Sequence, residues 1–265
     1  MAYFMEEMSV RDMEHAMEET KTVIIPVGVV EQHGYHLPLS TDIHNAVQPC
    51  RYAGDRLNAV VAPSVNYCFS GGECMGTVNV SPNTFGLLIS EICQEFARMG
   101  FVNIVILLGH GGRDNRIALE NTLQMILRRD PVLAKKITLS MVEVDALSQT
   151  CLDALNMGEE NDFHAGMTET SMMLYWAPEL VQDEICMDRQ DVAKMMRVDC
   201  NWFEKREKKL DHPFIIEHVS QKEEVKIGVM GFPERASREL GEKICNEIVD
   251  SLVEYVDFLE DSRKF

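Results

Sequence analysis

The chain alternates between short, continuous apolar runs and longer segments in which apolar residues recur every three or four positions. The runs are rich in aliphatic residues, which is typical of strands buried on both faces of a sheet. They lie at residues 23–30, 59–62, 101–108 and 137–144. The amphipathic spacing of the other segments predicts helices. These lie at about 10–19 (opened by a capping box from Ser9 to Asp12), 44–57, 83–99, 115–129, from 167 onwards, and 234–261.

Strands and helices therefore alternate through the first two thirds of the chain. This order predicts an α/β fold with a mostly parallel sheet and helices on both of its faces. We expect a single domain over residues 1–265, because no linker or internal repeat interrupts the pattern. Three segments have a weaker signal: a glycine-rich loop at 63–82, a polar loop at 145–163, and an irregular insertion or subunit-contact region at 178–225.

Composition excludes several classes of partner. The formal net charge is −18, from 43 acidic and 25 basic residues. We expect no nucleic-acid partner, because binding to a polyanion requires a basic face. An anionic membrane surface is excluded on the same ground, and no apolar window is long enough to span a bilayer. With no signal-like segment and no C-x-x-C pair among eight cysteines, we expect a cytoplasmic protein.

Three histidine-bearing loops each follow an apparent strand. They carry Glu31, His33 and Asp42, then His110, and finally His164 and Glu169. Parallel strands deliver their carboxyl ends to one edge of a sheet, so the loops can converge there. One histidine after a strand is most often an ordinary loop residue, and residues 109–112 alone are also compatible with a tight or anion-binding turn. The three loops together favour a metal site.

The number and type of these residues indicate the chemistry. Carboxylates and imidazoles suit Zn, Mn and Fe alike. Six such side chains are too many for one structural zinc and suit two divalent metal ions that share a carboxylate. His36 and His44 lie beside the candidate ligands, and we expect them to orient those ligands through hydrogen bonds.

The residues from Gly28 to Asp42, with the core Glu31-Gln32-His33-Gly34, resemble the first motif of the creatininase family, the creatinine amidohydrolases. Gly109–Gly112 matches the second family motif in part, and His164–Ser171 matches the third. The resemblance covers roughly residues 20–245. It implies a three-layer α/β/α sandwich, a two-metal centre, a small-molecule substrate and a homo-oligomer, commonly a hexamer.

The resemblance also implies roles for particular residues. Glu31, Asp42 and His110 match the ligands of one metal, and His33 and Asp42 match ligands of the other. Gly112 stands where creatininase itself has a carboxylate, and Glu169 is the natural replacement as ligand, with a catalytic role as well. His164 matches the residue that acts on the leaving group.

Departures from the family pattern bear on the substrate. Arg113 and Asp114 are inserted where the second motif continues with Asn, so Arg113 is expected to point into the site and favour an anionic or hydroxyl-rich substrate. Tyr35 stands where Pro is common and is a second candidate for substrate contact. The loop at 145–163 lacks the tryptophans that close over creatinine, which makes creatinine itself doubtful as the substrate.

The resulting hypothesis is a metal-dependent amidohydrolase. A metal-bridging hydroxide attacks the carbonyl of a small cyclic amide or related C–N substrate, and His164 protonates the leaving nitrogen. Two alternatives stay open: hydrolysis of a carbon–carbon bond in a cyclic polyol ketone at the same site, and a homologue that binds metal or a small molecule without catalysis.

Overall fold

The fold is built around a five-stranded parallel sheet. The computed structural model describes residues 2–262, so both ends of the predicted 1–265 domain lie outside the described residues. The strands are β1 (Tyr3–Phe4), β2 (Thr22–Val27), β3 (Val60–Val61), β4 (Asn103–Leu108) and β5 (Thr138–Glu143). Their order is β1-β3-β2-β4-β5, and every neighbouring pair is parallel. The sequence predicts four of these strands; the two-residue β1 is too short to leave a signal.

Helices cover both faces of the sheet. In chain order they are α1 (Val10–Glu19), α2 (Thr41–Ala53), α3 (Pro82–Met99), α4 (Arg113–Arg129), α5 (Pro131–Ala134), α6 (Gln149–Ala154), α7 (Met167–Trp176), α8 (Gln190–Val198) and α9 (Arg238–Ser262). The core on one face includes side chains from α1, α3 and α4, and the core on the other includes side chains from α2, α7 and α9. The predicted α/β/α sandwich is therefore confirmed.

Strand β2 shows why its sequence is apolar throughout. Successive side chains of a strand point to opposite faces. Accordingly Ile25 joins the core beneath α3 and α4, whereas Ile24 joins the core beneath α2 and α9. All six residues of β2 are buried. Such a strand has no solvent-facing side, so the alternation typical of surface strands is absent.

The order of the strands places a switch point beside β2. After β2 the chain moves to β3 on one side, and β4 then returns to the other side of β2. In open parallel sheets, the loops that leave two such strands separate and form a crevice at their carboxyl ends. The loop after β2 begins at Gly28, and the loop after β4 begins at Gly109. The fold thus brings the first two histidine-bearing loops to one crevice.

Two segments contain more regular structure than the sequence predicts. The polar loop at 145–163 includes α6, whose Ser148 side chain accepts a hydrogen bond from the Cys151 N–H. The insertion at 178–225 contains α8 and an antiparallel hairpin of β6 (Glu204–Glu207) and β7 (His218–Gln221). The prediction of an irregular insertion is wrong there. The hairpin is largely exposed and charged, so it has no apolar alternation to reveal it.

Among residues 2–262, none of the helices combines the length and the hydropathy that a membrane-spanning segment requires.

A close backbone approach joins the end of β4 to α2. A Cβ atom at Gly109 would collide with the main-chain oxygen of Asp42 and would lie 2.7 Å from the main-chain nitrogen of Ala46. Only glycine fits, because both obstacles are backbone atoms that no rotamer change removes. This approach sets His110 beside the first turn of α2.

We therefore expect Gly109→Ala to lower the free energy of unfolding by at least about 2 kcal/mol, because α2 has to move away from β4. Gly111→Ala is the matched control, since a Cβ atom there meets nothing within 4 Å. We expect that control to change stability by less than about 0.5 kcal/mol. Urea unfolding followed by circular dichroism measures both, and equal stabilities would contradict the close approach.

Candidate metal centre

Six predicted site residues converge at the carboxyl edge of the sheet. Their ligand atoms form three overlapping groups, and within each group the atoms lie within 4.8 Å of one another. The groups are Glu31, Asp42 and His110; His33, Asp42 and Glu169; and Glu31, His33 and His164. Each group offers three nitrogen or oxygen donors and could hold a divalent cation. The cluster thus spans the loops after β2 and β4 and the segment that enters α7.

Asp42 lies at the centre of the cluster, in the first turn of α2. Its Oδ1 is 3.2 Å from Nε2 of His33, and its Oδ2 is 3.2 Å from Nδ1 of His110. The side chain is only 1% exposed. One carboxylate oxygen therefore faces each imidazole, which is the arrangement that lets a carboxylate bridge two cations.

Glu31 completes the side of the cluster that contains His110. Its Oε2 is 3.1 Å from Nδ1 of His110, and its Oε1 accepts a hydrogen bond of 2.6 Å from the Ser70 hydroxyl. The hydroxyl fixes one oxygen of the carboxylate and leaves the other directed at the cluster. Ser70 lies in the glycine-rich loop, and no sequence signal marked it as part of the site.

His33 is oriented by the main chain and is fully buried. Its Nδ1 lies 3.1 Å from the carbonyl oxygen of Glu31, which can only accept, so Nδ1 carries the proton. Its Nε2 then faces Asp42 and also Oε2 of Glu169, which is 3.7 Å away. A backbone carbonyl that fixes the tautomer in this way is typical of imidazoles that bind metal.

Glu169 is held by an unusual turn at the start of α7. Its Oε2 accepts a hydrogen bond of 2.5 Å from the N–H of Ala165. Ala165 has φ 53°, in the left-handed region that residues other than glycine rarely adopt. Strain of this kind is concentrated at functional sites, where the surrounding contacts maintain it.

The electrostatics of the cluster pair two imidazoles with carboxylates. Burial lowers the pKa of His33, but the carboxylates of Asp42 and Glu169 outweigh it and hold that pKa well above its usual value. Burial also lowers the pKa of His110, but the carboxylates of Glu31 and Asp42 outweigh it and hold that pKa well above its usual value. Burial raises the pKa of Asp42, and the two histidines reverse this and lower it. A cation that enters the cluster has to displace these protons, so its binding is linked to proton release.

Several buried polar atoms of the cluster lie within ion-pair distance of one another but have no hydrogen-bond partner among residues 2–262. They include Oε2 of Glu31, Nε2 of His33 and Oδ2 of Asp42. Buried polar atoms without such partners are uncommon in folded proteins and call for an explanation. All three point into the groups described above, so cations are the partners that fit them.

His164 lies against the cluster and is oriented by Gln32. Its Nε2 is 2.7 Å from the main-chain oxygen of Gln32, and its ring centroid is 4.2 Å from that of His33. Since a carbonyl oxygen accepts only, Nε2 of His164 carries the proton and Nδ1 is the free acceptor. Oε1 of Gln32 in turn accepts from the N–H of Gly34. The structure therefore gives His164 a fixed ring position and one available lone pair.

A cavity of about 460 Å³ opens above the cluster. Glu31, His110, His164 and Glu169 lie in its wall. Arg113, in the first turn of α4, also lines it. Tyr35 does not; its side chain is 57% exposed and lies outside the lining. The structure thus brings Arg113 to the cavity and leaves Tyr35 away from it.

The two weakly patterned segments supply wall residues that the sequence did not single out. Phe203 and Arg206 belong to the insertion. Asp145 belongs to the polar loop and lies two residues after the last residue of β5, Glu143. Burial and the carboxylates of Glu169 and Glu143 raise the pKa of Asp145 to about 7. The sequence could have marked Asp145 by the rule that locates the histidine loops, because Asp145 also lies at the carboxyl end of a parallel strand.

Gly112 and His36 act on the cluster indirectly. A Cβ atom at Gly112 would collide with Nε2 of His110, so a larger residue there would displace this imidazole from the cluster. Nε2 of His36 lies 3.0 Å from the hydroxyl of Thr170, the residue after Glu169, and His36 is buried. His44 lies in α2 and contacts Gln48 rather than the cluster.

Comparisons with known proteins identify the family of the chain. The creatininase family model, described as creatinine amidohydrolase, matches residues 6–256. A mycofactocin precursor peptide peptidase from Mycolicibacterium smegmatis is 29% identical over 246 residues, which cover 88% of this chain and 83% of that protein. A creatinine amidohydrolase from Pseudomonas putida is 27% identical over 180 residues, with 63% and 68% covered.

Solved structures share the fold. One described as creatininase Mn has a TM-score of 0.77 at 20% identity and covers 98% of this chain and 99% of its own. A creatininase variant of Zn-Zn type has a TM-score of 0.74 at 21% identity, with 98% and 99% covered. Because the family model spans most of the sequence, the resemblance found in the sequence motifs is confirmed, and the chain belongs to the creatininase family.

Proposed function

We propose that the chain is a two-metal hydrolase that cleaves a carbon–nitrogen amide bond. The observation that carries this proposal is the buried carboxylate of Asp42 between His33 and His110. Glu31, Asp42 and His110 would hold one cation, and His33, Asp42 and Glu169 the other. Oxygen and imidazole donors suit Zn, Mn and Fe. The manganese and Zn-Zn forms of creatininase support such a pair.

The names of the relatives favour an amide over the alternatives. One relative is an amidohydrolase and another is a precursor peptide peptidase, and both names describe cleavage of a carbon–nitrogen bond. They support this reaction over hydrolysis of a carbon–carbon bond in a cyclic polyol ketone. The complete set of donors argues against a homologue without catalysis. A cavity of about 460 Å³ falls in the range that encloses drug-sized ligands, so the substrate class extends from cyclic amides to peptide-like amides.

The chain's own groups would position the substrate and move a proton. When bound, the cations polarise the substrate carbonyl and lower the pKa of a water ligand. His164, with its ring fixed by the main chain of Gln32, is proposed to accept at its free Nδ1 the proton that the attacking water loses, and then to pass that proton to the leaving nitrogen. Glu169 belongs to the cluster and also lies in the cavity wall, so it is proposed to contact the substrate as well as a cation.

Arg113 is proposed to bind an anionic part of the substrate. Of the three arginines that line the cavity, Arg116 pairs with Glu143 at 2.8 Å and Arg206 pairs with Glu204. Arg113 makes no ion pair within residues 2–262 and is exposed to the cavity. A guanidinium without a partner is well suited to a substrate carboxylate. Nothing in its position supports a similar role for Tyr35.

We also propose that the chain is a single domain and assembles as a homo-oligomer, with a hexamer as the expected state. Apolar side chains left exposed on α3 and α4 support an interface there; they include Leu87, Leu88 and Ile117. Contiguous exposed apolar surface is characteristic of protein contacts.

Loss of the shared carboxylate tests the metal centre. We expect Asp42→Asn to reduce metal from about two ions per chain to less than one, because the amide supplies no charge to share between them. Metal analysis after dialysis measures this, with thermal unfolding to show that the variant is folded. Asp114→Asn, at the rim of the cavity, is the control and should keep its metal. If the Asp42→Asn protein still bound about two ions per chain, Asp42 would not be the residue that bridges them.

A second test addresses the proton donor. The metal-loaded protein is screened against cyclic amides, formamides, short peptides and cyclic ketones. On the substrate found, we expect His164→Ala to lower kcat by about 10²- to 10⁴-fold, with metal content unchanged. His218→Ala, in the exposed strand β7, should match the parent. Turnover by His164→Ala at the parent rate would exclude the assignment.

A third test addresses Arg113. We expect Arg113→Gln to raise KM by at least about tenfold for substrates that carry a carboxylate, and to leave their uncharged amide analogues unchanged. Arg128→Ala, at the exposed end of the same helix, serves as the control for loss of positive charge. If Arg113→Gln raised KM equally for charged and uncharged substrates, Arg113 would not be the site that binds the substrate's anionic group.

A further inference from the structure

Asp145 is a carboxylate in the cavity that the protein leaves without a partner. It lies just beyond β5, half-buried, and lines the same cavity as Arg113. No cation lies within ion-pair distance of its side chain among residues 2–262, and no described N–H or O–H group donates to it. Its neighbour Glu143 differs, because it pairs with Arg116.

Buried carboxylates with a structural role look different in this protein. Asp162 accepts hydrogen bonds from the main-chain N–H groups of Met167, Thr168 and Phe232. Asp188 likewise accepts from the main-chain N–H groups of residues 226–228. Each of these carboxylates holds loops together and is saturated with donors. Among residues 2–262 the side chain of Asp145 holds no loop in place, so the fold does not explain a carboxylate at this position.

The surroundings of Asp145 make it a strong acceptor for a positive group. Burial and the like charges of Glu169, Glu143 and Asp42 disfavour its ionised form. A positive group bound beside Asp145 would offset these like charges and so favour the ionised form. A half-buried carboxylate without donors gains more from a cationic ligand than an exposed one does, because less water screens the contact.

We propose that Asp145 is a specificity-determining residue that binds a protonated amine or other N–H-bearing cationic group of the substrate. This inference rests on the proposed amide hydrolysis at the metal centre and names its substrate class. Arg113 and Asp145 line one cavity as two unpaired charges of opposite sign. The substrate that matches both is a zwitterionic amide with a carboxylate and an amine, as in the end of a short peptide or an amino-acid amide.

The test uses binding, so it does not require the natural substrate. Hydroxamates of ω-amino acids are titrated into the metal-loaded protein by calorimetry, beginning with glycine hydroxamate and lengthening the spacer to six carbons. Each amine is compared with its N-acetyl partner, which keeps the metal-binding hydroxamate and removes the positive charge. At one spacer length we expect the amine to bind at least about tenfold more tightly than its acetylated partner.

Variants then assign the preference to a residue. Asp145→Asn should abolish the difference between amine and acetylated probe, whereas Asp114→Asn, an exposed carboxylate at the same cavity, should preserve it. Asp145→Glu keeps the charge on a longer side chain and should move the preference to a shorter spacer. This second variant decides the question if Asp145→Asn does not fold.

The outcomes separate this inference from the proposed function. If neither member of any pair binds, the metal centre and the hydrolase proposal fail together with the inference. If both members bind equally at every spacer length, the metal centre stands and the role of Asp145 is overturned. The role of Asp145 is also overturned if Asp114→Asn, rather than Asp145→Asn, abolishes the preference for the amine.

Discussion

The buried carboxylate of Asp42 is the contact on which the rest of this site depends. Transfer of a charged carboxylate out of water costs several kcal/mol, so the position is tenable only with positive charge on both sides. His33 and His110 provide it as imidazolium groups, and two cations would provide it more strongly. Because the histidines follow different strands, one side chain ties together two loops that are far apart in sequence.

The order of the strands makes that contact possible. With β2 beside both β3 and β4, the loops after β2 and β4 leave the sheet at one crevice. Gly109 then allows the end of β4 to approach the backbone of α2 at Asp42. A side chain there would separate His110 from Asp42 even if every ligand were present. The metal centre is thus as much a product of backbone packing as of the donor residues.

The sequence predicted what depends on local rules and missed what depends on distant contacts. Glu31, His33 and His110 follow apolar runs directly, so the strand-end rule locates them. The predicted helix at 44–57 begins three residues later than α2, which starts at Thr41 and has no side-chain cap at Ser40. Asp42 therefore lies in the first turn of α2 rather than in the loop before it. Ser70 reaches Glu31 from 39 positions away, and no periodicity encodes such a contact.

The wall of the cavity was harder to predict for a related reason. The helices and strands in segments 145–163 and 178–225 are short. Contacts with the rest of the molecule, rather than a long amphipathic pattern of their own, set their positions. Val192, Met196, Val225 and Met230 form a small core of their own beneath the insertion. Tyr35 is the converse case: its motif position predicts substrate contact, whereas its side chain is 57% exposed and is not among the residues that line the cavity.

This division between a rigid base and a separately supported wall explains how one centre can serve different substrates. The base is built where buried strands end and α2 begins, and several of its donors are held by fixed partners: His33 and Glu169 by the main chain, and Glu31 by the Ser70 hydroxyl. The wall contacts the base near Gly228: Asp188 accepts from the N–H of Gly228, and a side chain at Gly228 would collide with that of Gln32, which orients His164. The N–H of Met230 also donates to the main-chain oxygen of His164. Changes in the wall can therefore alter the shape and charge of the cavity while the donors stay in place. Changes near Gly228 and Met230 would reach the group proposed to protonate the leaving nitrogen, because both lie against Gln32 or His164.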